Sequence, residues 1–349
     1  MFQRLLPPSL QPGAHIGLIA PSSPIYEEEN RQKAIHLLED MGFFVTVGQS
    51  VNEQRGYLSG SDACRAGDVN RMFQDPAIDA IVCLRGGYGA ARLLPMLDYE
   101  AIRKNPKPFV GFSDITALHC AFQVKCGLVS FHGPMAGAHW PVGLRENKSR
   151  AGWLRAMSDT APLGLMENPD GTPFEVFREG EAEGILTGGN LTVLNNLIGT
   201  EYLPDLNGKL LLLEDVGEKP YRIDAMLTQF RNTGLLNQCA GFILGDFTDC
   251  GGDPGKPTLT LHEIFSDLLP PDKPILQSVH AGHGRDKITL PLNIPYRICG
   301  NTLTALSPAT RGSAPGLRER FRNPAPPVAE MGRVEEAGET NNASGSEAV

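Results

Sequence analysis

Between residues 15 and 131 the chain alternates short apolar runs with stretches of helical periodicity, and this alternation narrows the fold more than any other feature. Strand-like segments stand at 15–20, 43–47, 80–84, 108–112 and 129–131. After the first comes "EEENRQKAIHLLEDMG", with acids in its first turn, apolar residues at helical spacing and Gly42 where a C-terminal cap belongs. "DACRAGDVNRMF" reads as a second helix stopped by Asp75-Pro76, a third begins beyond Gly86 and Gly87, and a fourth follows Ser113. Strands separated by helices predict a parallel sheet covered on its faces, hence a doubly wound α/β domain over residues 1–160.

The rest of the chain changes character. Residues 140–173 are rich in Gly, Pro and small polar residues, with one helix-like piece at 151–157, and read as a connector whose linker proper is 161–174. Residues 175–312 combine short alternating segments broken by glycine, an apolar helix near 191–198, the buried strand "GKLLLLEDVG", the amphipathic helix "YRIDAMLTQFRNTG", the strand "AGFILGDF" and the helix "LHEIFSDLL". They predict a second, mixed α/β domain. From 313 to 349 the composition shifts to Pro, Glu, Asn, Ser and Gly, too little apolar material to offset the entropy of ordering, so a disordered and dispensable tail is expected.

Composition removes several classes of function. The 349 residues carry a formal charge of −9 with no basic run, which argues against a nucleic-acid surface. No apolar run reaches the roughly 18 residues of a membrane span, and the apolar stretch at 16–20 is shorter than a signal-peptide core of about 7 to 15 residues. A soluble, cytoplasmic protein is the expectation. Seven scattered cysteines without a C-x-x-C pair suggest reduced thiols, with no disulfide framework, metal site or cofactor.

The chemistry is concentrated at the strand ends. In "KPFVGFSDITAL" a strand breaks at Ser113 and a helix follows, which sets a hydroxyl at the carboxyl edge of the sheet. Ser113 is there either to cap the helix or to attack a substrate held near the helix N–H groups. Ile115 replaces the last glycine of a G-x-S-x-G elbow. "CLRGGYGAARLL" supplies a glycine turn at the same edge; without G-x-G-x-x-G or a Walker lysine it is weak as a nucleotide site, but Gly87 suits an oxyanion donor. A serine nucleophile needs a base, and the base an orienting partner. Of the eight histidines, His15, His36, His119, His132, His139, His262, His280 and His283, the pair in "SVHAGHGRDKITLPLN" sits in a loop-like setting, and glycine-flanked His283 is the freer. Glu214 ends the strand in "LLLLEDVGEKPYRID", with Asp215 and Glu218 as rivals.

Taken together and in order, "GLIAPSSP", "RGGYGA", "GFSDITAL", "FHGPM", "LTGGNL", "LLLEDVGEKPYRID" and "GHGRDKITLPLN" resemble the L,D-carboxypeptidase family of serine peptidases, which includes the microcin-immunity type, over residues 13–308. The resemblance implies a class I glutaminase-like, flavodoxin-like N-terminal domain, a β-rich C-terminal domain, a homodimer and a site between the two halves. It also implies Ser113 as nucleophile, His283 as base, Glu214 as its orienting partner, and the N–H groups of Gly87 and Asp114 as oxyanion hole. Asn190 in "LTGGNL" becomes a substrate contact or a helix cap, and Arg85 a candidate cation for a terminal carboxylate. Asn293 stands where the family commonly has glycine, behind the histidine motif. The implied reaction is release of terminal D-alanine from an L,D-linked murein tetrapeptide in cell-wall recycling. The alternatives are cleavage of aminoacyl-nucleotide antibiotics by the same triad, or small-molecule binding without chemistry.

Overall fold

The computed structural model describes residues 3–137, 148–284 and 286–312; His139 and the tail expected at 313–349 lie outside them. In chain order the first elements are β1 (His15–Ile19), α1 (Glu28–Asp40), β2 (Phe44–Val47), α2 (Asp62–Gln74), β3 (Ala80–Cys83), α3 (Tyr99–Lys104), β4 (Phe109–Gly111), α4 (Thr116–Cys126) and β5 (Phe131–His132). These five strands and one later one form a six-stranded sheet in which β1 to β5 run parallel in the order 5-4-3-1-2. This is the expected doubly wound arrangement. Its central strands are apolar on both faces because helices cover both, and β3 is buried at every residue. Gly42 takes φ 87° just past α1, and Ser61 caps α2 by accepting from the Cys64 N–H.

The second part contains α5 (Lys148–Ser158), β6 (Gly164–Leu165), β7 (Glu175–Arg178), β8 (Glu181–Asn190), α6 (Leu191–Leu197), β9 (Leu210–Val216), α7 (Pro220–Asn232), α8 (Leu235–Gln238), β10 (Gly241–Thr248), α9 (Leu261–Leu268), β11 (Ile275–Gln277), β12 (Leu290–Pro291), β13 (Pro295–Cys299) and β14 (Thr302–Ala305). Eight strands form a mixed sheet in the order 6-14-13-8-9-10-11-7, with β8 to β11 parallel. β12 departs from this half: it leaves the mixed sheet and pairs antiparallel with β5 in the first. An apolar cluster runs without a break from Phe109 and Leu118 of the first part to Leu194, Leu211 and Phe230 of the second.

Two sequence expectations are corrected. The third helix is a 3-10 turn, Ala90–Met96, followed by the short α3. Pro95 lies inside that turn, and an interior proline lacks the N–H an α-helix needs there. The glycine-broken segments near 181–190 are the single long strand β8. Its glycines mark close backbone approach: a Cβ on Gly184 would lie 2.6 Å from the Gly208 carbonyl oxygen, and one on Gly188 2.2 Å from that of Leu212.

Candidate active site

Ser113 follows the carboxyl end of β4 by two residues, and Glu214 lies near the carboxyl end of β9. Ser113 opens a 3-10 turn, Ser113–Ile115, ahead of α4 and takes φ 64°, the left-handed region that L-residues avoid. It makes no capping hydrogen bond, so the helix-cap reading fails. With the strained backbone, the hydroxyl is engaged instead by His283.

The third member arrives on the segment between β11 and β12. His283 Nε2 lies 3.0 Å from Ser113 Oγ, and its Nδ1 lies 2.8 Å from Glu214 Oε2. Glu214 is fully buried, and burial pushes its carboxyl up while the His283 hydrogen bond pulls it down. Gly282 makes the approach possible: at φ 138° its Cα faces Glu214, and a Cβ would sit 2.8 Å from Oε2. The rivals are occupied elsewhere. Asp215 accepts from the Asn190 side chain and from the N–H and hydroxyl of Thr192 at the start of α6, while Glu218 faces Arg222 at 3.6 Å. His280 is directed to Asp170 at 3.6 Å, and His119 is buried between Ser130 Oγ and the Gly111 carbonyl. A hydroxyl, an imidazole and a buried carboxylate in one line are what proton removal from a serine needs.

Two loops after β1 and β3 wall the serine. A Cβ on Gly86 would lie 3.0 Å from Ser113 Oγ and 3.4 Å from the Asp114 nitrogen, so only glycine leaves that space open. Gly87 adopts φ 115° against Ser23, where a Cβ would be 2.3 Å from the hydroxyl oxygen. The Asp114 side chain, 6% exposed, ties these loops: Oδ2 accepts from Ser22 Oγ at 2.6 Å and from the Ala90 N–H at 2.8 Å. Burial raises its carboxyl. Arg65, fully buried on α2, reaches the carbonyls of Pro21 (2.6 Å) and Gly89 (3.0 Å) and the carboxylate of Asp62. Sequence reasoning passed over Arg65, although its signal was present: it stands four residues before Val69 on the apolar stripe of α2.

The remaining expected residues have structural partners. Asn190 caps α6 by accepting from Val193 N at 3.1 Å, donates to Asp215, and through its own N–H joins Thr116 of α4 at 3.0 Å. Arg85, half-buried, donates to the Pro24 carbonyl at 3.3 Å. Asn293 is left-handed at φ 66°, which explains a preference for glycine there, and its Nδ2 donates to the Gly127 carbonyl at 2.8 Å, beside α4 rather than behind His283.

Comparison with known proteins decides the family. Residues 16–133 match the model of the LD-carboxypeptidase N-terminal domain and residues 183–298 that of the LD-carboxypeptidase C-terminal domain. The chain belongs to the LD-carboxypeptidase family. It is 35% identical over 287 residues to the probable murein peptide carboxypeptidase of Bacillus subtilis, covering 82% of this chain and 89% of that one. It is 34% identical over 300 residues to the murein tetrapeptide carboxypeptidase of Pseudomonas aeruginosa, with 82% and 94% covered. The fold is that of the microcin self-immunity protein MccF: the TM-score is 0.78 at 24% identity, over 88% of this chain and 99% of that one. As a family member the chain is a peptidase of carboxypeptidase type. Among the described residues no helix is long and apolar enough to cross a membrane.

Proposed function

We propose that the chain is a serine L,D-carboxypeptidase that removes the terminal D-alanine from a murein tetrapeptide. The observation that carries this reading is the alignment of Ser113 Oγ, His283 and Glu214 at 3.0 and 2.8 Å from three distant points of the chain. In the proposed reaction His283 takes the Ser113 proton as Oγ attacks the carbonyl of the bond between the L-centre of a dibasic residue and D-alanine. The N–H groups of Gly87 and Asp114 hold the oxyanion. His283 gives the proton to the departing amine, D-alanine leaves, and water repeats the sequence on the ester to release the tripeptide. Glu214 keeps the imidazole in the tautomer with its proton on Nδ1 and balances the imidazolium that forms.

Arg85 is our candidate for the substrate's terminal carboxylate, because it sits on the loop that bears Gly87. Asn190 has its side chain engaged at α6 and Asp215, so we give it the task of aligning β8 with α4. Relatives named for murein peptides support the substrate, and the family resemblance is our ground for proposing a cytosolic homodimer. A second reading, cleavage of aminoacyl-nucleotide antibiotics, draws on the fold shared with MccF. The test is release of D-alanine from murein tetrapeptide by wild type and by Ser113→Ala, with product masses recorded. Loss of one D-alanine by wild type alone is expected. No release by wild type overturns the murein assignment.

A further inference from the structure

The residue after the base is held at both of its backbone polar groups. The N–H of Gly284 donates to Asp246 Oδ2 at 3.0 Å, and its carbonyl accepts from the Lys287 ammonium. Asp246 reaches this place through an irregularity in β10, whose pairing with β9 shifts between Leu244 and Phe247. Such bulges re-aim side chains beside functional sites. The Asp246 N–H then donates to the Ala281 carbonyl at 2.9 Å, and a Cβ on Gly284 would lie 2.7 Å from Asp246 Oδ2. Strand and loop are in contact with no room between them.

Lys287 closes the other side. It is 3% exposed, and its ammonium lies 5.4 Å from the centre of the Phe112 ring. The same ring meets the His283 imidazole edge-on at 4.9 Å, and Phe112 directly precedes Ser113. One aromatic ring thus touches the base, carries the cation and adjoins the nucleophile. Burial lowers Lys287 to about 8, opposed by Asp246, Glu214 and Asp286. An apolar side chain would fill this place at lower cost, so we look for a task other than stability.

We propose that Lys287 and Asp246 are positioning residues for His283: they hold the backbone of Gly284 at its N–H and at its carbonyl and, through Phe112, fix the imidazole between Glu214 and Ser113. This rests on the triad reading above. The groups whose charge His283 feels are Glu214 on β9, Asp246 on β10 and His132 on β5, with Lys287 on its own loop beside Glu214 and His132.

The experiment compares wild type, Lys287→Met, Lys287→Arg and Asp246→Asn by kcat and KM on the tetrapeptide, by the rate at which a fluorophosphonate labels Ser113, and by the pH profile of both. Lys287→Met is expected to lower kcat and labelling by roughly tenfold or more, with KM changed by less than about twofold. Lys287→Arg should recover much of that loss. Removing the cation eases protonation of the base, so the acid limb should move to higher pH in Lys287→Met; it should move to lower pH in Asp246→Asn. A purely structural role would reduce the number of sites that label without moving either limb, and that result overturns the proposal, as do wild-type rates in Lys287→Met. Should Lys287→Met not fold, the limb of Asp246→Asn decides. Labelled wild type with unchanged variants defeats the positioning role alone; wild type unlabelled at Ser113 defeats the triad and this proposal with it.

Discussion

Ser113 occupies a backbone conformation that costs an L-residue about 1–2 kcal/mol relative to glycine. Removing the hydroxyl in two ways should expose this: Ser113→Gly is expected to outlast Ser113→Ala in urea by about 1 kcal/mol, while both lose activity. Measured denaturation midpoints decide it. Glu214→Gln keeps the shape of the side chain but presents an amide to His283 Nδ1, and the lost tautomer control should lower kcat by about a thousandfold or more. Gly86→Ala puts a methyl beside Ser113 Oγ, and a roughly hundredfold loss of kcat in a protein that melts normally is expected. Part of this geometry was legible beforehand. Glycines on both sides marked His283 as able to enter a cleft. Glu214 and Asp215 were inseparable, because neighbours on a strand face opposite sides and only the surrounding elements show which side holds the histidine.

At the level of elements, strands were legible wherever both faces are buried, since continuous apolar runs such as residues 80–83 have no other place to go. Legibility failed where a local signal carried a tertiary meaning. The glycines of β8 looked like breaks and are close approaches, of Gly184 and Gly188 to the chain at 208–212 and of Gly189 to Thr116; Asn293 looked like a disturbance of the histidine loop and is a left-handed residue bonded to Gly127. Asn293→Ala should therefore destabilise the fold by about 1–2 kcal/mol, from the positive φ and the lost hydrogen bond to the Gly127 carbonyl, which keeps the Leu5 N–H as its other donor, and Asn293→Gly by less. Chemical denaturation of both variants checks the order. Arg65 and Asp114 form the other hidden element, a polar tie among loops that hydrophobic patterning does not reveal.

On the scale of the whole molecule, two buried histidines make stability sensitive to acid. His119 is lowered to about 4 by burial, and His132, neither of whose ring nitrogens has a hydrogen-bond partner among the described residues, is also held well below 6.5 by burial. Because both are lowered in the folded chain, the unfolded chain binds more protons as pH falls below the ordinary 6.5, so each histidine contributes stability at neutral pH that is lost on acidification below about 6.5. The buried carboxyls of Glu214, Asp114 and Asp246 are raised and act in the opposite sense, so the clean measurement is a difference. From pH 6.5 to 5 wild type should lose more stability than His132→Phe, by about 1 kcal/mol per pH unit. His283 itself stands on a stretch that leaves the mixed sheet and ends, at Leu290–Pro291, as a strand of the first sheet. During synthesis the serine emerges long before that stretch does. On the triad proposed above, a growing chain therefore holds Ser113 apart from His283 through most of translation, and the proposed site is complete only once β12 has joined β5 and tied the two sheets together.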